Sequence, residues 1–276
     1  MPRASHRKTA TTAERSRPRV LPALRHAHIL SELAASGAVQ VSAVADALGV
    51  SEMTVRRDLV DLEAAGRLVR IHGGAVDVDR NRAIEFDRDE PDFEARLERN
   101  REAKEAIARK AADLCQGCRT VALDVGTTTH IVARALAQSF AKLFTNSLRI
   151  GAELAAAGRE VYVPGGRVRA GELAVGGSTA VSQFQALWFD IAFIGVSGIT
   201  PGGLYDYSFE DADLKRVYLA RSGIRAVVCD ASKFERMSLV HIGALKDFDV
   251  LVTDASPPPL LKAALAEAGV RLEIAG

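Results

Sequence analysis

The run SEMTVRRDL at residues 51–59 sets two adjacent arginines among a serine, a threonine and an aspartate. Val55, Leu59 and Leu62 recur every three or four residues and form an apolar stripe. Successive residues advance by about 100° around a helix axis, so Arg57 points nearly opposite that stripe. Met53, Thr54, Val60 and Asp61 share its outer face, and Arg56 flanks it. An arginine can bind guanine O6 and N7 through two hydrogen bonds, or clamp a phosphate. Thr54 can donate to a phosphate, and an exposed Met53 can touch a thymine methyl. Ser51 and Glu52 complete the candidate contacts on this turn. Asp58 lies toward the side of the helix, where it is expected to orient an arginine or cap a neighbour.

A second set of residues suits a small anion rich in hydroxyls. In LDVGTTTHIVARAL an apolar run passes through Asp124 and Gly126 into a helical pattern. Gly126 lets the backbone approach a ligand. Thr127, Thr128 and Thr129 place hydroxyls at a helix N-terminus, where free N–H groups and the helix dipole favour negative charge. FTNS offers Thr145, Asn146 and Ser147, and VPGGR offers Gly165 and Gly166 beside Arg167. GGLYDYSFEDADLKR carries Asp206, Glu210 and Asp211 ahead of Lys215, and CDASKF places Lys233 just after a strand. Asp211 and Lys215 are four apart, so both can line one helix face. Each motif alone has a bland reading as a helix cap or surface ion pair; their joint arrival at strand ends favours a phosphorylated sugar or polyol.

The elements around the arginines form a small module. LRHAHILSELAASG is a helix of about three turns that stops at Gly37. In VQVSAVADALGV, Ser42 is the expected N-cap, Val44, Ala45 and Leu48 are the buried side, and Gly49 ends the helix. Ser51 caps the next helix, which runs to Gly66. Two short helices joined by a turn containing glycine make a helix-turn-helix. RLVRIHGGAV then alternates around a Gly-Gly turn and reads as a two-stranded wing, with Arg70, His72, Gly73 and Gly74 at or near its tip. Further along, TVALDVG, KLFTNS, EVYVPGG, DIAFIGV, RAVVCDA, DVLVTD and VRLEIA are apolar strands separated by helical stretches. That alternation implies an α/β domain with a mainly parallel sheet, whose ligands bind beyond the carboxyl ends of strands. A single helix is expected from Phe93 to Cys115.

The whole chain sets limits. Its 276 residues suggest two domains, and 48% apolar with 26% charged residues is a soluble globular balance. The net charge of +1 hides an asymmetry: residues 1–76 hold 11 Lys/Arg against 7 Asp/Glu, and the rest hold 25 against 28. Six of the basic residues fall in positions 1–23, opposed only by Glu14, and this tail reads as disordered. The expected divisions are therefore a basic tail at 1–23, a winged helix-turn-helix at 24–78, a charged linker at 79–92 and an α/β domain at 93–276. No window holds about 18 unbroken apolar residues, so no membrane span is expected, and no apolar segment marks a signal peptide. Three cysteines do not make a disulfide framework, which suits a reduced, cytoplasmic protein. Cys115 and Cys118 in CQGC form half a metal or redox site at most, because zinc wants four nearby N/S ligands. They read as small apolar residues at a helix end, and no metal or cofactor is expected.

VSAVADALGVSEMTVRRDLVDLEAAGRLVRIHGGAV resembles the winged helix-turn-helix of DeoR-type bacterial regulators of sugar metabolism, through S-x-x-T-V-R-R-D-L and H-G-G-A. The sequence from Phe93 onward resembles the sensor domain of the same family. That resemblance implies a fold similar to ribose-5-phosphate isomerase, a recognition helix starting near Ser51, and a repressor that leaves double-stranded operator DNA when a phosphorylated effector binds. It implies a phosphate on Gly126, Thr127 and Thr128, with Asp124, Asn146, Gly165, Gly166, Asp211 and Lys215 around the polyol. DVGTT, SQF, FIGVSGI, DASKF and TDASPPP look most like the glycerol 3-phosphate branch of the family, which makes that ester the first candidate. The family commonly has Glu where this chain has Asp211; the arm is one methylene shorter, and Glu210 stands beside it.

One recognition helix reads only a few base pairs, so a dimer or higher homo-oligomer on repeated half-sites is expected. The module between 24 and 76 has five basic and six acidic residues, so non-specific affinity falls to the tail, the wing with His72, and oligomerisation. The alternative class is a sugar-phosphate isomerase with an attached DNA module, drafting Asp190, Asp211 and Lys215 as catalytic groups.

Overall fold

The computed structural model describes residues 21–36, 38–71, 74–77, 85–86 and 90–276. The expected basic tail up to Val20, the wing tip at His72 and Gly73, and most of the linker lie outside the described residues. The chain divides into two compact units, with the division after Asp77.

The N-terminal unit runs α1 (Pro22–Ser36), β1 (Ala38–Gln40), α2 (Val41–Leu48), α3 (Glu52–Ala64), β2 (Leu68–Ile71) and β3 (Gly74–Asp77). The helix expected from Leu24 begins at Pro22, because proline's fixed φ and missing N–H suit a first helical turn. The strands form an antiparallel sheet in the order β1-β3-β2, so the wing has a third strand that its three-residue length hid in the sequence. α2 starts at Val41, which puts Ser42 inside the first turn instead of at the cap: pairing of Gln40 with Gly74 holds the chain extended until the residue before. Gly49 takes φ +63, a left-handed conformation that lets Val50 donate back to the Ala45 carbonyl at 3.0 Å. Ser51 then caps α3, its hydroxyl accepting from Thr54 N at 3.2 Å. Ile29, Leu33, Val44, Val55, Leu59, Leu62 and Leu68 form the core between helices and sheet.

The C-terminal unit begins with β4 (Glu85–Phe86), α4 (Phe93–Glu98) and α5 (Arg101–Asp113). The single helix expected here is broken. Asn100 adopts φ +55, a left-handed value that asparagine tolerates better than most residues, and α5 restarts after it. Then come β5 (Thr120–Leu123), α6 (Thr127–Ala135), β6 (Lys142–Thr145), α7 (Leu148–Ala156), β7 (Val161–Tyr162), β8 (Arg167–Arg169), β9 (Ala174–Gly176), α8 (Ser178–Gln185), β10 (Phe189–Gly195), β11 (Gly198–Thr200), β12 (Gly203–Asp206), α9 (Phe209–Ala220), β13 (Ser222–Val228), β14 (Arg236–Met237), β15 (Val240–Gly243), β16 (Val250–Thr253), α10 (Pro259–Glu267) and β17 (Arg271–Ile274).

The seven apolar runs read from the sequence are the seven strands of one parallel sheet, ordered β17-β16-β13-β10-β5-β6-β7. β10 shows why a continuous apolar run signals such a strand. Ile191 and Phe193 enter the core under α5, α6 and α7, while Ala192 and Ile194 enter the core under α8, α9 and α10. A smaller antiparallel sheet, β11-β12-β15, packs beside α9. The chain moves outward from β5 to β7 on one side and from β10 to β17 on the other. The strand order therefore reverses between β5 and β10, which opens a crevice at their carboxyl ends. Among the described residues no helix is long and apolar enough to cross a membrane.

Candidate functional site

The N-terminal unit presents one chemically distinctive face. Val55, Leu59 and Leu62 of α3 are buried, while Met53, Arg56, Arg57 and Val60 are exposed. Met53 keeps 61% of its surface in solvent, far more than burial of a thioether would leave. Arg56 lies 3.2 Å from Glu52, one turn earlier. Arg70 on β2 is tied to Glu63, whose carboxylate accepts from its Nε at 2.6 Å and its backbone N at 2.9 Å. Those two bonds hold the Glu63 carboxyl below its ordinary pKa. Ser51 shares a 2.9 Å hydrogen bond with Thr54, so both hydroxyls brace the start of α3.

Asp58 is buried, and it does orient an arginine. Arg25 of α1 reaches it through Nε at 2.6 Å and Nη2 at 2.7 Å, and His26 Nε2 stands 3.3 Å away. The aspartate of the RRD run therefore straps the arginine-bearing helix to α1.

In the C-terminal unit a cavity of about 840 Å³, counting its open mouth, lies where the strand order reverses. β5 delivers Val125, Gly126, Thr127 and Thr128 to it, and β10 delivers Gly195, Val196 and Ser197. Gly126 has φ +147, which a side chain would strain. His130 N donates to the Gly126 carbonyl at 3.0 Å, the first bond of the α6 ladder. The N–H groups of Thr127, Thr128 and Thr129 precede that bond, so they are the open donors of a helix N-terminus. Thr129 turns its hydroxyl back to Gly126 O at 2.9 Å, leaving Thr127 and Thr128 as the cavity threonines.

One wall is acidic. Asp206 and Asp211 line it, and Asp124 lies fully buried behind. Lys215 is buried among them. Its ammonium donates to Asp124 Oδ2 and to Gly195 O at 2.9 Å, and Asp206 lies at 3.1 Å. Burial alone would lower the Lys215 pKa; Asp124, Asp206 and Asp211 overcome it and raise it. Burial pushes the Asp124 carboxyl up to about 7 against the pull of Lys215. Burial and Asp206 raise Asp211 likewise, although Arg169 pairs with it. Asp124 Oδ1 is buried without a hydrogen-bond partner. The carboxylate oxygens of Asp206 and Asp211 on this wall can accept hydrogen bonds from ligand hydroxyls.

A second stretch of the lining is basic. Arg99, Lys104, Lys233 and Arg236 line it, with Asp230 as the nearby acid. The break at Asn100 separates α4 from α5, and residues on both sides of it, Arg99 and Lys104, line the cavity. Lys104 donates to the carbonyls of Arg96 and, at 2.6 Å, Arg99, the exposed acceptors of the α4 C-terminus. Burial pulls its ammonium down to about 8. Asp230 accepts from Asn100 Nδ2 at 2.9 Å and Ser232 N at 3.0 Å; against burial, these bonds hold its carboxyl low.

Of the residues expected to bind an effector, the cavity gathers Gly126, Thr127, Thr128, Asp206, Asp211, Lys215 and Lys233, with Asp124 directly behind. Four lie elsewhere. Asn146 is buried under the sheet end, accepting from Tyr218 Oη at 2.9 Å. Gly165 N donates to Gln183 at 2.8 Å, and Gly166 packs on the Gly176 carbonyl with no room for a Cβ. Glu210 pairs with Arg167 on a neighbouring surface hollow. Asp211 and Lys215 share a face of α9 without pairing, since Arg169 and Asp124 take them separately. The sequence did not mark Glu90, Arg96, Arg99, Lys104, Glu172, Ser197, Asp230 and Arg236 as lining residues; Asn100 in the RLERNREAK run is the residue type that permits the break beside the first basic group, and the helical spacing across it hid that.

Two residues take structural roles. Asp190 accepts the N–H groups of Arg119 and Thr120 at 2.7 and 3.0 Å, at the amino ends of β5 and β10, away from the cavity. Cys115 is buried at the end of α5, and burial pushes its thiol up to about 12, so it packs as a neutral side chain.

Comparison with known proteins agrees with both halves. The family described as DeoR-like helix-turn-helix domain matches residues 25–81, and the DeoR C terminal sensor domain matches residues 99–255. The HTH-type transcriptional regulator GlpR of Haloferax volcanii is 32% identical over 253 residues, covering 91% of this chain and 97% of the relative. The glycerol-3-phosphate regulon repressor of Escherichia coli is 29% identical over 253 residues, covering 91% and 98%. Among solved structures, ribose 5-phosphate isomerase A of Methanocaldococcus jannaschii is 16% identical with a TM-score of 0.37, over 49% of this chain and 55% of that one. These two relatives, each matched over 91% of this chain, are named as regulators of transcription, which removes the isomerase alternative. The chain belongs to the DeoR family of DNA-binding transcription regulators.

Proposed function

We propose that the protein is a cytoplasmic repressor that holds operator DNA through α3 and releases it when a phosphorylated sugar or polyol enters the cavity. The observation that carries the reading is the polarised cavity at the strand-order reversal: open helix N–H donors and basic side chains for phosphate, and lining carboxylates that can accept from hydroxyls. Glycerol 3-phosphate is the first candidate, supported by the likeness to the Escherichia coli repressor of that regulon. Release is linkage: the effector prefers a conformation that binds DNA less well, and operator affinity falls by that difference. A homo-oligomer, dimer or tetramer, is part of the proposal, because two recognition helices double the sequence read.

Two arginines test the DNA face. Arg57→Ala is expected to weaken specific binding by about 1–3 kcal/mol, as loss of a base contact does. Arg56→Ala is expected to weaken all sequences evenly and flatten the salt dependence, as loss of a phosphate contact does. Competition between the protein's own upstream DNA and random DNA over a range of salt distinguishes them. An Arg57→Ala chain that keeps full specificity removes α3 as the reader.

Lys104 sets a pH dependence. Its folded pKa of about 8 lies below the ordinary lysine value of about 10.4. Effector phosphate is a dianion throughout this range, so its affinity is expected to fall as pH rises through 8 and the ammonium is lost. The same lowered pKa has the opposite sign for folding: between the two values the unfolded chain binds more protons, so this group's contribution to stability rises with pH. Calorimetric titration of glycerol 3-phosphate from pH 7 to pH 9.5 measures the first effect. Lys104→Arg is expected to flatten it; an unchanged profile in that variant places the anion away from Lys104.

A further inference from the structure

This inference rests on the cavity being an effector site. The first described residues of the C-terminal unit lie at the cavity wall. β4 pairs in parallel with β14, Glu85 opposite Arg236, and Arg236 lines the cavity. Shortly after, Glu90 becomes a lining residue. Its carboxylate lies 3.3 Å from Arg96 and 2.9 Å from Arg169, while Arg96 also pairs with Glu172 and Arg169 with Asp211.

Four carboxylates thus crowd one side of the cavity: Glu90, Glu172, Asp206 and Asp211. Burial and the charge of Glu172 raise the Glu90 pKa above the usual carboxylate range, which marks it as an ill-matched charge. A phosphate arriving at the α6 N-terminus brings further negative charge and competes for Arg96. Asp206 ends β12, Asp211 belongs to α9, and Glu172 is 4% exposed in the β8–β9 turn. Glu90 alone of the four lies ahead of the first helix of the C-terminal unit, between β4 and α4, so it is the charge that can leave without disturbing the sheet.

We propose that Glu90 is a built-in competitor of the effector: it holds Arg96 and Arg169 when no effector is bound, and the effector's phosphate draws Arg96 away and releases the segment that carries Glu90.

The test uses the full chain, with glycerol 3-phosphate and inorganic phosphate as probes. Hydrogen exchange is followed over residues 85–91, and probe affinity is measured by calorimetry. Saturating glycerol 3-phosphate is expected to speed exchange in that segment by at least about fivefold, the low end of allosteric couplings. Glu90→Gln is expected to exchange fast there without a probe and to bind the ester at least about fivefold tighter. Glu94→Gln removes a carboxylate on α4 whose side chain is 73% exposed, and it is expected to match wild type in both measurements. If Glu90→Gln also loosens β10, the whole sheet has suffered, and Glu90→Asp replaces it, with values expected between wild type and Gln. Tight binding of the ester with unchanged exchange at 85–91, or unchanged affinity in Glu90→Gln, overturns the competitor and leaves the effector site standing. Failure of wild type to bind either probe overturns both.

Discussion

Replacing Lys215 with methionine is expected to destabilise the C-terminal unit by about 3–5 kcal/mol, the usual result of removing one partner from a buried ion pair. Lys215 exposes 1% of its surface, and Asp124 exposes none. Without the ammonium, Asp124 keeps the N–H of Gly195 at 3.1 Å on one oxygen, and its other oxygen already lacks a partner. The loss has a pH signature. The folded Asp124 pKa, about 7 with Lys215 present, lies above the unfolded value and rises further without the lysine. An acid whose folded pKa is raised contributes stability below its unfolded value and loses it as pH rises through the folded one. The variant is therefore expected to be nearest wild type at about pH 4–5 and furthest from it above pH 7. Trp188 is the only tryptophan and lies in this unit, so urea titrations followed by its fluorescence report the unit directly. Adding Asp124→Asn is expected to recover part of the loss at pH 8. A Lys215→Met chain as stable as wild type at pH 8 means the cluster is not the buried ionic core described here.

Asp58→Ala is expected to cost the N-terminal unit about 2–3 kcal/mol, below the full penalty for a buried pair because Arg25 can turn toward solvent. The unit's core is small, and small domains hold only a few kcal/mol in total. Much of the unit is then unfolded, and DNA binding falls with it, while the Trp188 transition stays in place. Arg57→Ala differs in kind, since it removes DNA contact from a unit that stays folded. Hydrogen exchange over α1 and α3 in the full chain separates the two: Asp58→Ala is expected to lose protection in both helices, Arg57→Ala in neither. Full protection in Asp58→Ala shows that the strap to Arg25 is dispensable.

The parts legible in the sequence are those where local pattern and tertiary need coincide. The run FDIAFIG is apolar on both faces because β10 has helices on both sides, so a run without alternation identified a central parallel strand. Gly49 and Ser51 marked the turn between α2 and α3 because backbone handedness and an open N–H require those residue types. The break at Asn100 was hidden because the helical spacing of Leu97, Lys104, Ile107 and Ala111 continues across it, and one left-handed residue decides the outcome. Arg96, Arg99 and Lys104 stayed out of the expected site for that reason. Asp211 and Lys215 illustrate the reverse. Their spacing placed both on the face of α9 that meets the cavity, but choice of ion partner belongs to the sheet: β8 supplied Arg169 and the end of β5 supplied Asp124.

The most direct test is release of DNA by an effector seated on α6. A mobility shift on the protein's own upstream DNA is titrated with glycerol 3-phosphate and a panel of sugar and polyol phosphates. It is run on wild type and on the Thr127→Ala, Thr128→Ala double variant. Wild type is expected to bind and to let go as one of the esters rises. The double variant is expected to bind equally well without ligand and to need at least about tenfold more ester for release. Losing charge-assisted hydrogen bonds of about 1.5–3 kcal/mol exceeds the roughly 1.4 kcal/mol that a factor of ten requires. A complex that every phosphate ester leaves intact contradicts the reading, as does a double variant released at the wild-type concentration.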